Sequence, residues 1–253
     1  ALPAGTNKIK FRARSGFGNN LYLDSICKVS SSSPVPATIT LAPQGYYEPV
    51  TNKLNIRDTV TFYLRNISTP FAVVDSGKAV IDSVSLSGSV TFANAASGTY
   101  YLVVKSRNIL ETWSKSGGQS YTRGAAFSYN FTTSAAQAYG SNMILEGAKY
   151  CIYSGDVSKN NAVDLADVLM VYNAATSFTS GFNALDLTGD RTVDLTDVLI
   201  AFNNSSNFVS RQVPPGAVII SEDNQILLKG KINEISESPI LMEKVTGDLN
   251  NEV

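Results

Sequence analysis

Asp156-Val-Ser-Lys-Asn-Asn-Ala-Val-Asp-Leu-Ala-Asp167 and Asp186-Leu-Thr-Gly-Asp-Arg-Thr-Val-Asp-Leu-Thr-Asp197 are one loop written twice, thirty residues apart. An apolar run follows each copy, ending at Phe178 and at Phe208. Oxygen-bearing side chains recur at loop positions 1, 3, 5, 9 and 12 in both copies. That spacing lets a short loop wrap a hard cation in oxygen ligands, and calcium is the cation it suits. In the first loop Asp156, Ser158 and Asn160 are the side-chain ligands at positions 1, 3 and 5. Ala162 offers its backbone carbonyl, Asp164 acts directly or through water, and Asp167 closes the shell in a bidentate manner. Asp186, Thr188, Asp190, Thr192 (by its carbonyl), Asp194 and Asp197 take the same parts in the second loop. The alternative is a pair of solvated turns with helix caps; two such loops in register argue against it. Two bound calcium ions are expected.

The run after each loop has apolar residues at helical spacing, which predicts a short helix of about ten residues. Asp164 and Asp194 stand where an N-cap belongs. Position 6 needs a left-handed backbone, and Asn161 and Arg191 occupy it instead of glycine. Val163 and Val193, at position 8, are expected to pair across a short bridge between the loops. The second loop carries four carboxylates, Asp186, Asp190, Asp194 and Asp197; the first carries Asp156, Asp164 and Asp167. The second is therefore expected to bind at least as tightly.

Upstream, short strands separated by Gly, Asn, Asp, Ser and Pro turns fill residues 37–150. They are expected at Ala37–Leu41, Leu54–Ile56, Thr59–Leu64, Ala72–Val74, Ala79–Val84, Gly88–Phe92, Thr99–Lys105, Phe127–Thr132 and Lys149–Tyr153. Spacing of this kind predicts an antiparallel sandwich. Alternation in Tyr100-Tyr-Leu-Val-Val-Lys105 gives one face to the core. Lys8–Val29 reads as a hairpin about Gly16-Phe-Gly-Asn-Asn20, and Ser30–Pro36 as a linker. Beyond the break Arg211-Gln-Val-Pro-Pro-Gly216, residues 217–232 read as a second hairpin and 239–245 as one more strand.

Composition narrows the chemistry. The chain has 253 residues, a formal net charge of −1 and no histidine. Histidine-based catalysis, histidine-ligated zinc and an imidazole switch are excluded. No basic field exists to attract nucleic acid. No apolar run approaches the ~18 residues needed to span a bilayer. Cys27 and Cys151 belong to no CxxC pattern, and a disulfide between them stands as an even alternative to two buried thiols. Trp113 and the tyrosines also suit a sugar-stacking platform, although aromatic residues in strands pack in cores far more often. Glu111 with Asp58 or Asp75 would be a carboxylate pair for glycoside hydrolysis, but no spacing brings them together.

Asp58-Thr-Val-Thr-Phe-Tyr-Leu-Arg65, Thr99–Asn108 and Leu110-Glu-Thr-Trp-Ser114 resemble a β-sandwich found near the C-termini of large secreted bacterial proteins, where a calcium-binding repeat follows it. The two loops, with Asp at position 12 and no entering helix, resemble dockerin repeats. The likeness covers about residues 37–209 and implies a non-catalytic extracellular module. Cellulosomal dockerins carry a hydroxyl pair at positions 10 and 11 that reads the cohesin; here stand Leu165-Ala166 and Leu195-Thr196.

The expected chain is therefore mainly β. It has an N-terminal hairpin segment (1–33) and an antiparallel sandwich of immunoglobulin or transthyretin type (34–153). A small α-helical tandem calcium-loop module (154–210) and a strand-forming tail (211–253) come next. The expected role is a non-catalytic, calcium-stabilised structural protein. It would be a cell-surface or filament subunit that self-associates through terminal strands, or the C-terminal region of a larger secreted protein. The alternative is a protein-docking or carbohydrate-binding module of a secreted enzyme.

Overall fold

A computed structural model of the chain describes residues 33–217. The chain divides into two compact units, Ala1–Ser33 and Pro34–Val253, and every element below belongs to the second. The N-terminal hairpin, Cys27 and the strands expected beyond residue 217 lie outside the described residues.

Among the described residues, twelve strands precede two α-helices: β1 (Ala37–Thr40), β2 (Tyr47–Glu48), β3 (Lys53–Leu54), β4 (Asp58–Asn66), β5 (Val73–Ile81), β6 (Ser87–Val90), β7 (Gly98–Lys105), β8 (Thr112–Trp113), β9 (Gln119–Tyr121), β10 (Ser128–Asn130), β11 (Ile144–Glu146) and β12 (Lys149–Cys151), then α1 (Leu165–Thr176) and α2 (Leu195–Ser206). Two sheets form a β-sandwich. One has the order β10-β1-β6, the other β5-β4-β7-β8, with β9 also on β7. β4 shows why. Asp58, Val60, Phe62 and Leu64 alternate inward, while the residues between them face out or lie half-buried. Ile39 from β1, Val90 from β6, Tyr129 from β10 and Leu102 from β7 complete the core between the sheets.

Three expectations are corrected. The sandwich is not wholly antiparallel, because β10 pairs with β1 in parallel. Ala72–Val74 and Ala79–Val84 are not separate strands: β5 runs through the polar Asp75-Ser-Gly-Lys78. The buried Asp75 carboxylate accepts from the Ser76, Asn94 and Ala95 amides, which makes a polar strand interior stable. Last, β7 buries both faces. Tyr100, Leu102 and Val104 join the main core, while Tyr101 and Val103 pack with Phe71 and Trp113 on the other side. Val213 and Ala217 cover that second cluster, so the segment after α2 returns over the sheet.

That return is pinned by charge. Glu111 is 4% exposed and lies 2.8 Å from Arg211 Nη1 and 3.0 Å from Lys105 Nζ; Trp113 Nε1 donates to it at 2.6 Å. Trp113 is thus buried and not available as a sugar platform. Asp58 pairs with Arg107 and Asp75 accepts from backbone amides, so Glu111, Asp58 and Asp75 are each engaged in a separate structural contact. Cys151 is buried and forms no disulfide within the described residues, and burial pushes its thiol up to about 12.

Candidate metal centre and helix face

The two loops share left-handed backbone at positions 4 and 6 and the hydrogen bonds made by positions 5, 9 and 12. Asn161 and Arg191 at position 6 both have φ of 73°, the left-handed turn predicted there. Position 4 is also left-handed, at Lys159 (φ 62°) and Gly189 (φ 77°). The sequence signalled this second turn only through Gly189.

Position 12 organises each loop. Asp167 Oδ1 accepts from Val157 N and Ser158 N at 2.9 and 2.8 Å, and its Oδ2 accepts from Asp164 N at 3.0 Å. Asp197 repeats this with Leu187 N, Thr188 N and Asp194 N at 2.7, 2.8 and 2.9 Å. Asp164 and Asp194 cap the helices, accepting from Ala166 N and Thr196 N in full capping boxes with Asp167 and Asp197. Asn160 and Asp190 at position 5 accept from the amides of Ala162 and Thr192 at position 7. In loop two Asp186 accepts from Gly189 N at 2.7 Å and Arg191 N at 3.0 Å.

Among the described residues no three His, Cys, Asp or Glu side chains form a ready metal-holding group. The buried carboxylates of each loop are the two at positions 1 and 12. Asp156 is 2% exposed, and Asp167, Asp186 and Asp197 are fully buried. The remaining oxygens of the expected set come mostly from amide, hydroxyl and carbonyl groups: Ser158, Asn160 and Ala162, or Thr188 and Thr192. Two observations fit a cation here. Asp156 Oδ1 is buried without a hydrogen-bond partner. Burial pushes the Asp156 carboxyl up to about 6; Lys159 opposes the rise and the nearby Asp167 adds to it. Burial raises Asp197 as well. Anionic pairs held this way are stabilised by a cation between them.

The loops do not bridge to each other through Val163 and Val193. Val163 N donates to Val209 O, after α2, and Val193 N donates to Thr179 O, after α1. Each loop is zipped to the segment that leaves the other repeat's helix, with bridges Ala162↔Ser210 and Ser180↔Thr192. The two repeats therefore interlock, and α1 and α2 share a core of Val157, Val168, Val171, Leu187, Val193 and Ala201.

The helices also expose apolar residues in the same register. Leu165, Leu169 and Tyr172 on α1 match Leu195, Leu199 and Phe202 on α2. Leu165 is 66% exposed and Leu195 75%. Phe178 and Phe208, just past the helices, are each 89% exposed with φ of 53° and 52°. This is the helix-terminating position that normally favours glycine. Phe178→Gly and Phe208→Gly are each expected to stabilise the fold by about 1 kcal/mol, read as a higher urea midpoint at unchanged slope.

Fold and site together define a class: a mainly β module carrying an interlocked tandem loop–helix repeat. No protein-family profile and no curated protein sequence matches the chain. Two solved structures of type II Cohesin-X-Dockerin complexes from Acetivibrio cellulolyticus are similar to it. The C-terminal interface mutant complex matches at 18% identity and a TM-score of 0.41, and the N-terminal interface mutant complex at 20% and 0.40. Each match covers 68% of this chain and 99% of the other. No helix among the described residues is long and apolar enough to cross a membrane.

Proposed function

We propose that the chain is a non-catalytic, extracellular protein-docking module. Its repeat binds two calcium ions and presents a helix face to a protein partner, with the sandwich as a rigid mount. The observation that carries the reading is the matched set of exposed apolar residues on both helices, ending in Phe178 and Phe208. Large apolar side chains left exposed at matching positions of both helices are the kind of surface that marks an interaction site. Aromatic anchors held in a costly backbone conformation, twice in register, strengthen the case.

Calcium supplies the charge that holds each loop shut. Asp156, Ser158, Asn160, Ala162, Asp164 and Asp167 would hold one ion, and Asp186, Thr188, Asp190, Thr192, Asp194 and Asp197 the other. The loops fix the start of each helix through the position-9 and position-12 aspartates, so the ions set the spacing of the face. Leu165 and Leu195 stand where cellulosomal dockerins carry a hydroxyl. The partner therefore offers an apolar sheet face of the cohesin kind rather than a polar one.

The test is calorimetric binding of the chain to cohesin-type domains, with calcium and with excess chelator, beside sedimentation of the chain alone. Calcium-dependent binding that is lost in the Phe178→Gly/Phe208→Gly protein supports the reading. Failure to bind any such domain, with binding or assembly indifferent to both phenylalanines, overturns it. Self-assembly that survives in that protein would favour a filament subunit built through other surfaces.

A further inference from the structure

The sandwich grips the two loops in opposite ways. At loop two it supplies side-chain donors to the loop's own carbonyls. Asn55 Nδ2 donates to the Thr188 carbonyl at 2.9 Å, and Asn108 Nδ2 to the Asp186 carbonyl at 3.0 Å. Arg107 Nη1 donates to the Asn183 carbonyl, just upstream, at 2.7 Å. These donors are themselves fixed. Arg107 Nε lies 2.8 Å from Asp58 Oδ2, its Nη2 donates to the Tyr46 hydroxyl at 2.6 Å, and Asn108 Nδ2 reaches the same hydroxyl at 2.9 Å. The Phe182 ring covers the Arg107 guanidinium at 3.7 Å.

The two backbones also meet without room for a side chain. A Cβ on Gly45 would fall 2.1 Å from the Leu187 carbonyl oxygen, and one on Gly189 would fall 2.6 Å from Ile56 Cγ2. Positions 1 to 4 of loop two are thus laid directly on the sandwich. At loop one the donor comes from the loop instead: Lys159 Nζ donates to the Ile109 carbonyl at 3.1 Å. Its Asn161 carbonyl is held by Arg211 N, from the segment after α2.

We infer that Asn55, Arg107 and Asn108 are positioning residues for the cation site of loop two, so that the sandwich tunes the affinity of one site and not the other. The inference rests on the calcium reading. None of the three supplies a ligand. Asn108 and Asn55 fix the peptide units of Asp186 and Thr188, and Arg107 fixes the approach at Asn183, so the side-chain oxygens at positions 1 and 3 are already placed when the ion arrives. A preorganised shell leaves less ordering for the ion to drive, and outer partners of this kind commonly control metal affinity. Loop two then loads first, and its occupancy is linked to the Tyr46–Asp58–Arg107 end of the sandwich.

The test uses the full chain, stripped with chelator and titrated with calcium chloride by calorimetry. An Asp156→Ala background reads loop two alone, and an Asp186→Ala background reads loop one alone. Asn55 is exposed, so Asn55→Ala keeps the fold. It is expected to weaken calcium binding about tenfold at loop two and to leave loop one unchanged. Asn108→Ala, which also loses the Tyr46 contact, should weaken loop two at least as much. Unchanged affinity at loop two in both variants overturns the inference, as does equal weakening at both loops. If the unsubstituted chain gives no calcium heat, the calcium reading falls and takes the inference with it. A chain that binds two ions with both variants silent overturns the inference alone.

Discussion

Excess chelator is expected to lower the thermal midpoint of the chain by roughly 5 to 10 °C for each calcium site that was loaded. A site filled at about a hundredfold its dissociation constant adds about 2.7 kcal/mol to the folded state, because the unfolded loop has no shell to offer. The effect reaches the sandwich because the repeat is not a free appendage. Asn204 on α2 donates to the Ser154 carbonyl and to Gln44 Oε1, both at 2.7 Å, and Arg107 and Asn108 tie the segment around loop two to the sandwich. An Asp156→Ala/Asp186→Ala protein should show no calcium heat and no chelator-dependent shift by calorimetry. Retained binding would refute the ligand assignment.

Glu111→Ala is expected to cost about 3 kcal/mol at neutral pH, because it leaves Lys105 and Arg211 in a largely buried site without their shared carboxylate. The pH dependence should match. Burial pushes the Glu111 carboxyl up, but Lys105 and Arg211 outweigh it and hold it below the usual 4.5. A depressed folded value means the charged form is the one folding favours. The contribution is complete above the unfolded value and is lost as pH falls through the folded one. Urea unfolding at pH 7 and pH 3 should show the native chain losing more stability than Glu111→Gln on acidification. Equal losses would mean that Glu111 does not drive the acid sensitivity.

The left-handed turn in each loop and the helix that follows it were legible in the sequence because both are set by local spacing. Position 6 at Asn161 and Arg191, and the caps at Asp164 and Asp194, depend on neighbours within a few residues. The strands β4 and β7 were legible for the same reason, through their alternation. Three things were not. β5 passes through a polar stretch because Asp75 finds the distant Asn94 and Ala95 amides, a partner no local pattern announces. Tyr101 and Val103 are buried because Val213 and Ala217 return across the sheet from beyond the repeat. Val163 and Val193 pair with Val209 and Thr179 rather than with each other, since the interlock of two helices fixes which segment lies beside which loop.

Short-range spacing and periodicity were enough to place the oxygen-bearing loops, their helices and the β character of the rest. Each of those features is settled by residues a few positions apart. Long-range packing alone brings Asn55, Arg107 and Asn108 to loop two and its approach, and leaves the apolar residues of α1 and α2 facing outward. Both outcomes need contacts between residues far apart in the chain. Which face a helix buries is a property of the packed pair, and neither helix sequence carries it alone.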